Sequence, residues 1–243
     1  MKLYQTSNLQ SKQYTDTTVL KCSLISSNSS CVISRVQQLR LICWKVKPWK
    51  QPKATIGQPK LFSSIFATAW GADCDEVLPG LFIGDKESAT NVGFLKKYGI
   101  THVLNAAEGN EEGLVDLNDE HYEGTGITYL GFPLWDAPGC NLVPYLGIAA
   151  DYICSAINQP GGKCLVNCQM GVSRSASCAI SYMMVHLGMT ATEALTLIRK
   201  SRDCRPNDGF LEQLANLDNA FRKERELGLP KQINLSSLED RFR

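Results

Sequence analysis

The chain has 243 residues, 25 Lys and Arg against 24 Asp and Glu for a net charge of +1, and 44% hydrophobic residues, which suits one ordinary domain with an extension or two small domains. No apolar run approaches the roughly 20 residues that cross a bilayer, and Met1 to Leu20 is too polar for a secretory signal, so a soluble chain with no transmembrane segment is expected. Its ten cysteines follow no disulfide framework and include no Cys-x2-Cys pair, which excludes a disulfide scaffold or zinc ribbon and points to a reducing compartment.

The near-neutral balance hides an asymmetry. Residues 1–60 carry eight Lys and two Arg against Asp16 alone, a net of +9, whereas the remainder carries 15 basic and 23 acidic residues, a net of −8. The first stretch is rich in Ser, Gln, Asn and Lys, with Pro48, Pro52 and Pro59 near its end. A basic, disordered N-terminal extension or partner-docking tail is expected over 1–60. Within it, Val32, Ile33, Val36, Leu39, Leu41 and Ile42 come close to a helical apolar stripe among Arg35, Arg40 and Lys45. An acid-poor amphipathic N-terminus also suits mitochondrial targeting, the alternative to a cytoplasmic or nuclear location.

A folded domain is expected over 70–227, with a C-terminal tail at 228–243. Glu76 to Gly84 reads as two short strands pinched at Pro79-Gly80. A helix over Ala89 to Tyr98 follows, with Gly99 where a C-cap belongs. Ile100 to Ala106 is a strand with little alternation, as for burial on both faces. Residues 108–125 are acidic and irregular, as in a surface loop, and Ile127 to Phe132 is the next strand. After the loop 133–141, Leu142 to Ala156 has helical spacing, with Asn141 as expected N-cap and Pro144 tolerated in the first turn. Gly161-Gly162 precedes a central strand, Lys163 to Asn167. Then come a helix from Arg174 to Leu187, a helix opened by a Thr190/Glu193 capping box, and a last helix from Asn207. Strands before and among helices imply an α/β sandwich around a central sheet.

Between the central strand and its following helix lies Cys168-Gln-Met-Gly-Val-Ser-Arg174-Ser175. A loop entering a helix N-terminus turns its amides inward and makes an anion site, and Gly171 lets the backbone approach a ligand. The fitting ligand is a phosphate, bound by the amides of Gln169, Met170, Gly171, Val172 and Ser173. Such a site lowers a thiol's pKa, making Cys168 a candidate nucleophile, and the planar fork of Arg174 suits two phosphoryl oxygens. The hydroxyl of Ser173 or Ser175 is placed to support the thiolate as leaving group. An alkoxide leaving group needs a proton, which a carboxylic acid on a mobile loop can deliver; Asp136 sits in such a loop.

These residues resemble the signature of the cysteine-dependent protein tyrosine phosphatases, and more narrowly a small atypical dual-specificity phosphatase. Similar flanking stretches are Gly99 to Glu108, Gly126 to Gly131 and Arg205 to Leu211, and the resemblance spans roughly Cys74 to Leu227. It implies a phosphatase-like α/β fold, a central mixed and mostly parallel sheet flanked by helices. It also implies a phosphocysteine enzyme acting on phosphotyrosine and phosphoserine or phosphothreonine, without metal or cofactor. Ser175 is favoured over Ser173 on the resemblance alone, Asp136 stands where the family places its acid, and Arg202 is a candidate second phosphate contact at the rim. The partners implied are phosphorylated proteins, mitogen-activated protein kinases being the family-level expectation, and no nucleic acid. His102, His121 and His186 are scattered and read as structural. One residue departs from the pattern: Asn167 stands where the family has histidine. A higher Cys168 pKa and slower turnover are expected, and an inactive phosphoprotein-binding pseudophosphatase is the alternative.

Overall fold

The computed structural model describes residues 33–45 and 71–226, and the expectations for 1–32, 46–60 and the tail 228–243 lie outside them. Five strands make one sheet in the order β1-β2-β5-β3-β4. They are β1 (Cys74–Leu78), β2 (Leu81–Gly84), β3 (His102–Asn105), β4 (Thr128–Gly131) and β5 (Cys164–Asn167). β1 runs antiparallel to β2 across Gly80, whose φ of 81° is the left-handed turn conformation glycine adopts freely. The other pairings, β2 with β5, β5 with β3 and β3 with β4, are parallel. This is the mixed, mostly parallel sheet that the family resemblance implied.

Helices cover both faces, so the middle strands read as continuous apolar runs. Leu81, Ile83, Leu104, Cys164 and Val166 enter the larger core, and Phe82, Val103 and Leu165 alternate into the smaller one. The larger core lies under α4 (Val143–Ile157), α5 (Arg174–Val185), α6 (Ala191–Ser201) and α7 (Asp208–Glu226). The smaller lies under α2 (Lys86–Thr90) and α3 (Val92–Tyr98). Gly99 closes α3 at φ 69°, and Thr190 with Glu193 forms the capping box of α6.

Four expectations need correction. Part of the basic extension is ordered: α1 (Arg35–Lys45) buries Leu39 and Cys43 in the larger core, and Arg40 pairs with Asp208 at 2.8 Å. The apolar stripe wins here because a ready surface exists for it on the domain. The helix expected over Ala89 to Tyr98 is two helices, because the Asn91 side chain leaves the first and caps the second by accepting from Phe94 N at 2.9 Å. Residues 108–125 are more than a surface loop, since Val115, Leu117 and Tyr122 close the smaller core. Asn141 is one residue early: α4 begins after Leu142 without a side-chain cap, and the Asn141 side chain accepts from Val143 N at 3.2 Å.

Candidate active site

The carboxyl ends of the parallel strands deliver the candidate groups to one place, as open α/β sheets do. β5 ends at Asn167, Cys168 follows, and α5 starts at Arg174. Four of the carbonyls between them are held from outside the loop, and the fifth, that of Ser173, accepts the first bond of α5. Lys86 N donates to Gln169 O (3.3 Å), Arg202 Nη2 to Met170 O (3.1 Å), Arg202 Nε to Gly171 O (2.7 Å), Arg205 N to Val172 O (2.9 Å) and Ser177 N to Ser173 O (3.0 Å). Because C=O and the next residue's N–H point oppositely across a trans peptide, carbonyls turned out leave the amides of Met170 to Arg174 facing the cleft, which is an anion-binding concavity. Gly171 takes φ 64°, and a Cβ there would stand 2.6 Å from the Gly84 backbone.

Cys168, only 1% exposed, is at the base of this concavity. Burial pushes its thiol up, but the Ser175 hydroxyl, the Ser175 and Val172 amides and the Arg174 guanidinium outweigh burial and hold it below the ordinary thiol value. The Ser175 Oγ is 3.3 Å from the sulfur. Burial without such donors does the reverse elsewhere, raising Cys178 and Cys204 to about 12.

Arg174 is buried at 4% exposure, and its Nη1 donates to Gly113 O (2.9 Å) and Leu134 O (3.0 Å). Its Nε, without a hydrogen-bond partner among the described residues, is 3.8 Å from Asp136 Oδ2. Asp136 enters from the loop after β4, and its Oδ1 accepts from Ser173 Oγ and from Asn207 Nδ2, each at 2.8 Å. Cys168, Asp136, Gln169, Met170, Val172, Ser173 and Arg174 line one cleft of about 420 Å³. Of the two serines, Ser175 therefore faces the sulfur and Ser173 the carboxylate.

Arg202 is not at the rim. It is 3% exposed, donates to Asp75 Oδ2 (2.7 Å) and to both oxygens of Asp73 (2.9 and 2.8 Å), and holds the carbonyls of Met170 and Gly171. Burial opposes its charge, yet Asp73 foremost, with Asp75, keeps its pKa above the ordinary value. Its donors are committed to the outside of the cysteine loop, so it braces the cradle. Two residues not expected at the site line the cleft, Arg205 and Asn207. The only signal for them was the stretch Arg205 to Leu211, legible as a resemblance and not as chemistry.

Asn167 is fully buried, with its side chain in a polar cluster. Its Nδ2 donates to Asn105 Oδ1 (3.2 Å), and Asn105 Nδ2 donates to Val115 O and Tyr129 Oη, each at 3.1 Å. The single Tyr129 hydroxyl proton has Leu117 O (2.7 Å) and Glu108 Oε1 (3.0 Å) as acceptors within reach. This cluster fastens the 108–117 segment that supplies the Gly113 carbonyl to Arg174.

Residues 81–220 match the family model described as dual specificity phosphatase, catalytic domain. Dual specificity protein phosphatase 26 of Homo sapiens is 44% identical over 149 residues, 61% of this chain and 69% of that protein. Dual specificity protein phosphatase 13B of Mus musculus is 38% identical over 180 residues, 74% of this chain and 89% of that protein. Among solved structures, human DUSP28 aligns with TM-score 0.53 at 27% identity over 61% of this chain and 95% of its own. The human tyrosine phosphatase-like serine/threonine/tyrosine-interacting protein aligns with TM-score 0.53 at 30% identity over 61% and 97%.

Proposed function

The chain belongs to the dual-specificity phosphatase family, and from that premise we propose that it hydrolyses phosphotyrosine and phosphoserine or phosphothreonine on proteins through a phosphocysteine intermediate. The observation that carries this reading is the buried Cys168 thiol held below its ordinary pKa in a cleft also lined by Arg174 and Asp136. In the first step the Cys168 thiolate attacks phosphorus, the S–P bond forms as the ester P–O bond breaks, and Asp136 gives its proton to the departing oxygen. Arg174 and the amides of Gln169 to Arg174 hold the charge on the transferring oxygens. In the second step water attacks the phosphocysteine while Asp136 takes its proton, and the thiolate leaves toward the Ser175 hydroxyl. No step requires a metal or cofactor.

The five residues inside the loop, Gln169 to Ser173, include no Lys, Arg or His. That favours a protein phosphoester over a polyanionic headgroup, and phosphorylated signalling proteins such as mitogen-activated kinases are the substrate class the family resemblance implies. Cys168→Ser is expected to abolish turnover and keep oxyanion binding; undiminished hydrolysis by that variant refutes the mechanism.

Asn167 favours a second reading, a phosphoprotein-binding pseudophosphatase, and one structural relative is named as a phosphatase-like interacting protein. An amide carries no charge, so the help an imidazolium gives a thiolate is absent. The pH dependence of aryl phosphate hydrolysis by wild type and Asn167→His separates the two. An active wild type whose acidic limb moves to lower pH in Asn167→His supports the enzyme. An inert wild type with an active Asn167→His supports the binder.

A further inference from the structure

We infer that the start of α7 is a preformed seat for Asp136, with Asn207 and Ser173 as positioning residues and Asp136 Oδ2 as the oxygen that carries the transferred proton. The inference rests on the acid role proposed above. Three hydrogen bonds close a circuit: Asn207 N donates to Ser173 Oγ (3.1 Å), Ser173 Oγ donates to Asp136 Oδ1 (2.8 Å), and Asn207 Nδ2 donates to the same Oδ1 (2.8 Å). Each hydroxyl and amide has one consistent direction in this circuit. Asp136 Oδ1 is thereby occupied by two donors, and Oδ2 is the oxygen left to hold and release a proton beside Arg174 Nε.

The seat is built from three separate parts of the chain. Ser173 is the last residue of the cysteine loop and Asp136 lies in the loop after β4. Asn207 is fixed from its other end, because its Oδ1 caps α7 by accepting from Phe210 N at 3.0 Å. Backbone contact completes the arrangement. Gly209, in the first turn of α7, lies so close to Pro138 that a Cβ would overlap the Pro138 carbonyl. The acid loop, expected from chemistry to be mobile, is docked on α7 through its side chain at Asp136 and its backbone at Pro138.

The test is a leaving-group series of aryl phosphates, from dinitrophenyl to phenyl, with wild type, Asp136→Asn, Asn207→Ser and Gly209→Ala. Serine retains the helix cap but cannot reach Asp136, and alanine favours the helix while pushing the acid loop away. A merely structural change lowers kcat/KM, which reports the leaving-group step alone, equally for all leaving groups. A misplaced acid lowers it most for poor leaving groups, since a general acid contributes about 10²–10⁴-fold where the departing oxygen needs a proton. The expected result is a steep leaving-group dependence in Asp136→Asn and the same pattern in Asn207→Ser and Gly209→Ala, with an extra loss on phenyl phosphate of roughly tenfold. A steep Asp136→Asn with a flat or unchanged Asn207→Ser and Gly209→Ala overturns the seat and leaves the acid role standing. A flat Asp136→Asn, or a wild type without turnover, overturns the acid role and the seat with it.

Discussion

Replacing Arg202 by methionine separates two roles for that residue. Its side chain is 3% exposed against Asp75 at 0% and Asp73 at 55%. The Asp73 contact, half in solvent, contributes about 0–1 kcal/mol. The Asp75 contact is buried, and removing one partner of such a pair costs about 3–5 kcal/mol because a carboxylate is left in a low-dielectric site. The Met170 and Gly171 carbonyls lose their charged donor at the same time, with effects that overlap and are not added. Arg202→Met should therefore destabilise the fold by about 3–5 kcal/mol, lowering Tm by roughly 6–20 °C for a domain of this size. Phosphate affinity should fall as well, as the loop carbonyls lose their outward anchor. Calorimetry with an oxyanion titration measures both. A Tm within 2 °C of wild type, about 1 kcal/mol or less, together with a raised KM alone, would show that Arg202 meets substrate at the rim and that the bracing argument is wrong.

Donors to the Cys168 sulfur favour the thiolate, so the alkylation-rate midpoint should fall below that of an unfolded chain; Ser175→Ala should move it up and Asn167→His down, and a midpoint indifferent to both variants refutes the stated causes. Leu39→Ala, a truncation at 1% exposure, should cost about 2–5 kcal/mol in urea unfolding; an unchanged midpoint would mean that α1 is not packed on the domain. Gly171→Ala meets a left-handed φ of 64° and the Gly84 backbone at 2.6 Å, so tungstate or phosphate binding should be lost by at least tenfold in isothermal titration; retained affinity would contradict the cradle geometry.

Periodicity and punctuation carried the element order. Strands buried on both faces read as unbroken apolar runs, and Gly80, Gly99 and the Thr190/Glu193 box stand at the boundaries they signalled. Boundaries failed where a single polar side chain had two backbone partners to choose from. Asn91 divides a helix, and Asn141 reaches Val143 and not the expected cap position. At the site, the five residues between Cys168 and Arg174 were legible because one local loop geometry makes the anion cradle.

Sequence by itself determined what depends on neighbours along the chain: the five strands, the cysteine loop entering a helix, and the substitution of Asn167. Tertiary structure alone decided what depends on partners far apart in the chain. From sequence Arg202 reads as a phosphate contact at the rim, and only its meeting with Asp73 and Asp75, 129 and 127 residues away, makes it a buried brace. Ser173 and Ser175 are chemically alike and two residues apart, yet the first turn of α5 aims one at Asp136 and the other at Cys168. Asn207 opens the last helix as its place in the sequence suggests, and its Oδ1 caps that helix, but the opposite end of the same amide holds Asp136, 71 residues earlier. A side chain's local preference is written in its type and spacing, whereas its second hydrogen-bond partner is supplied by the packing of the whole domain.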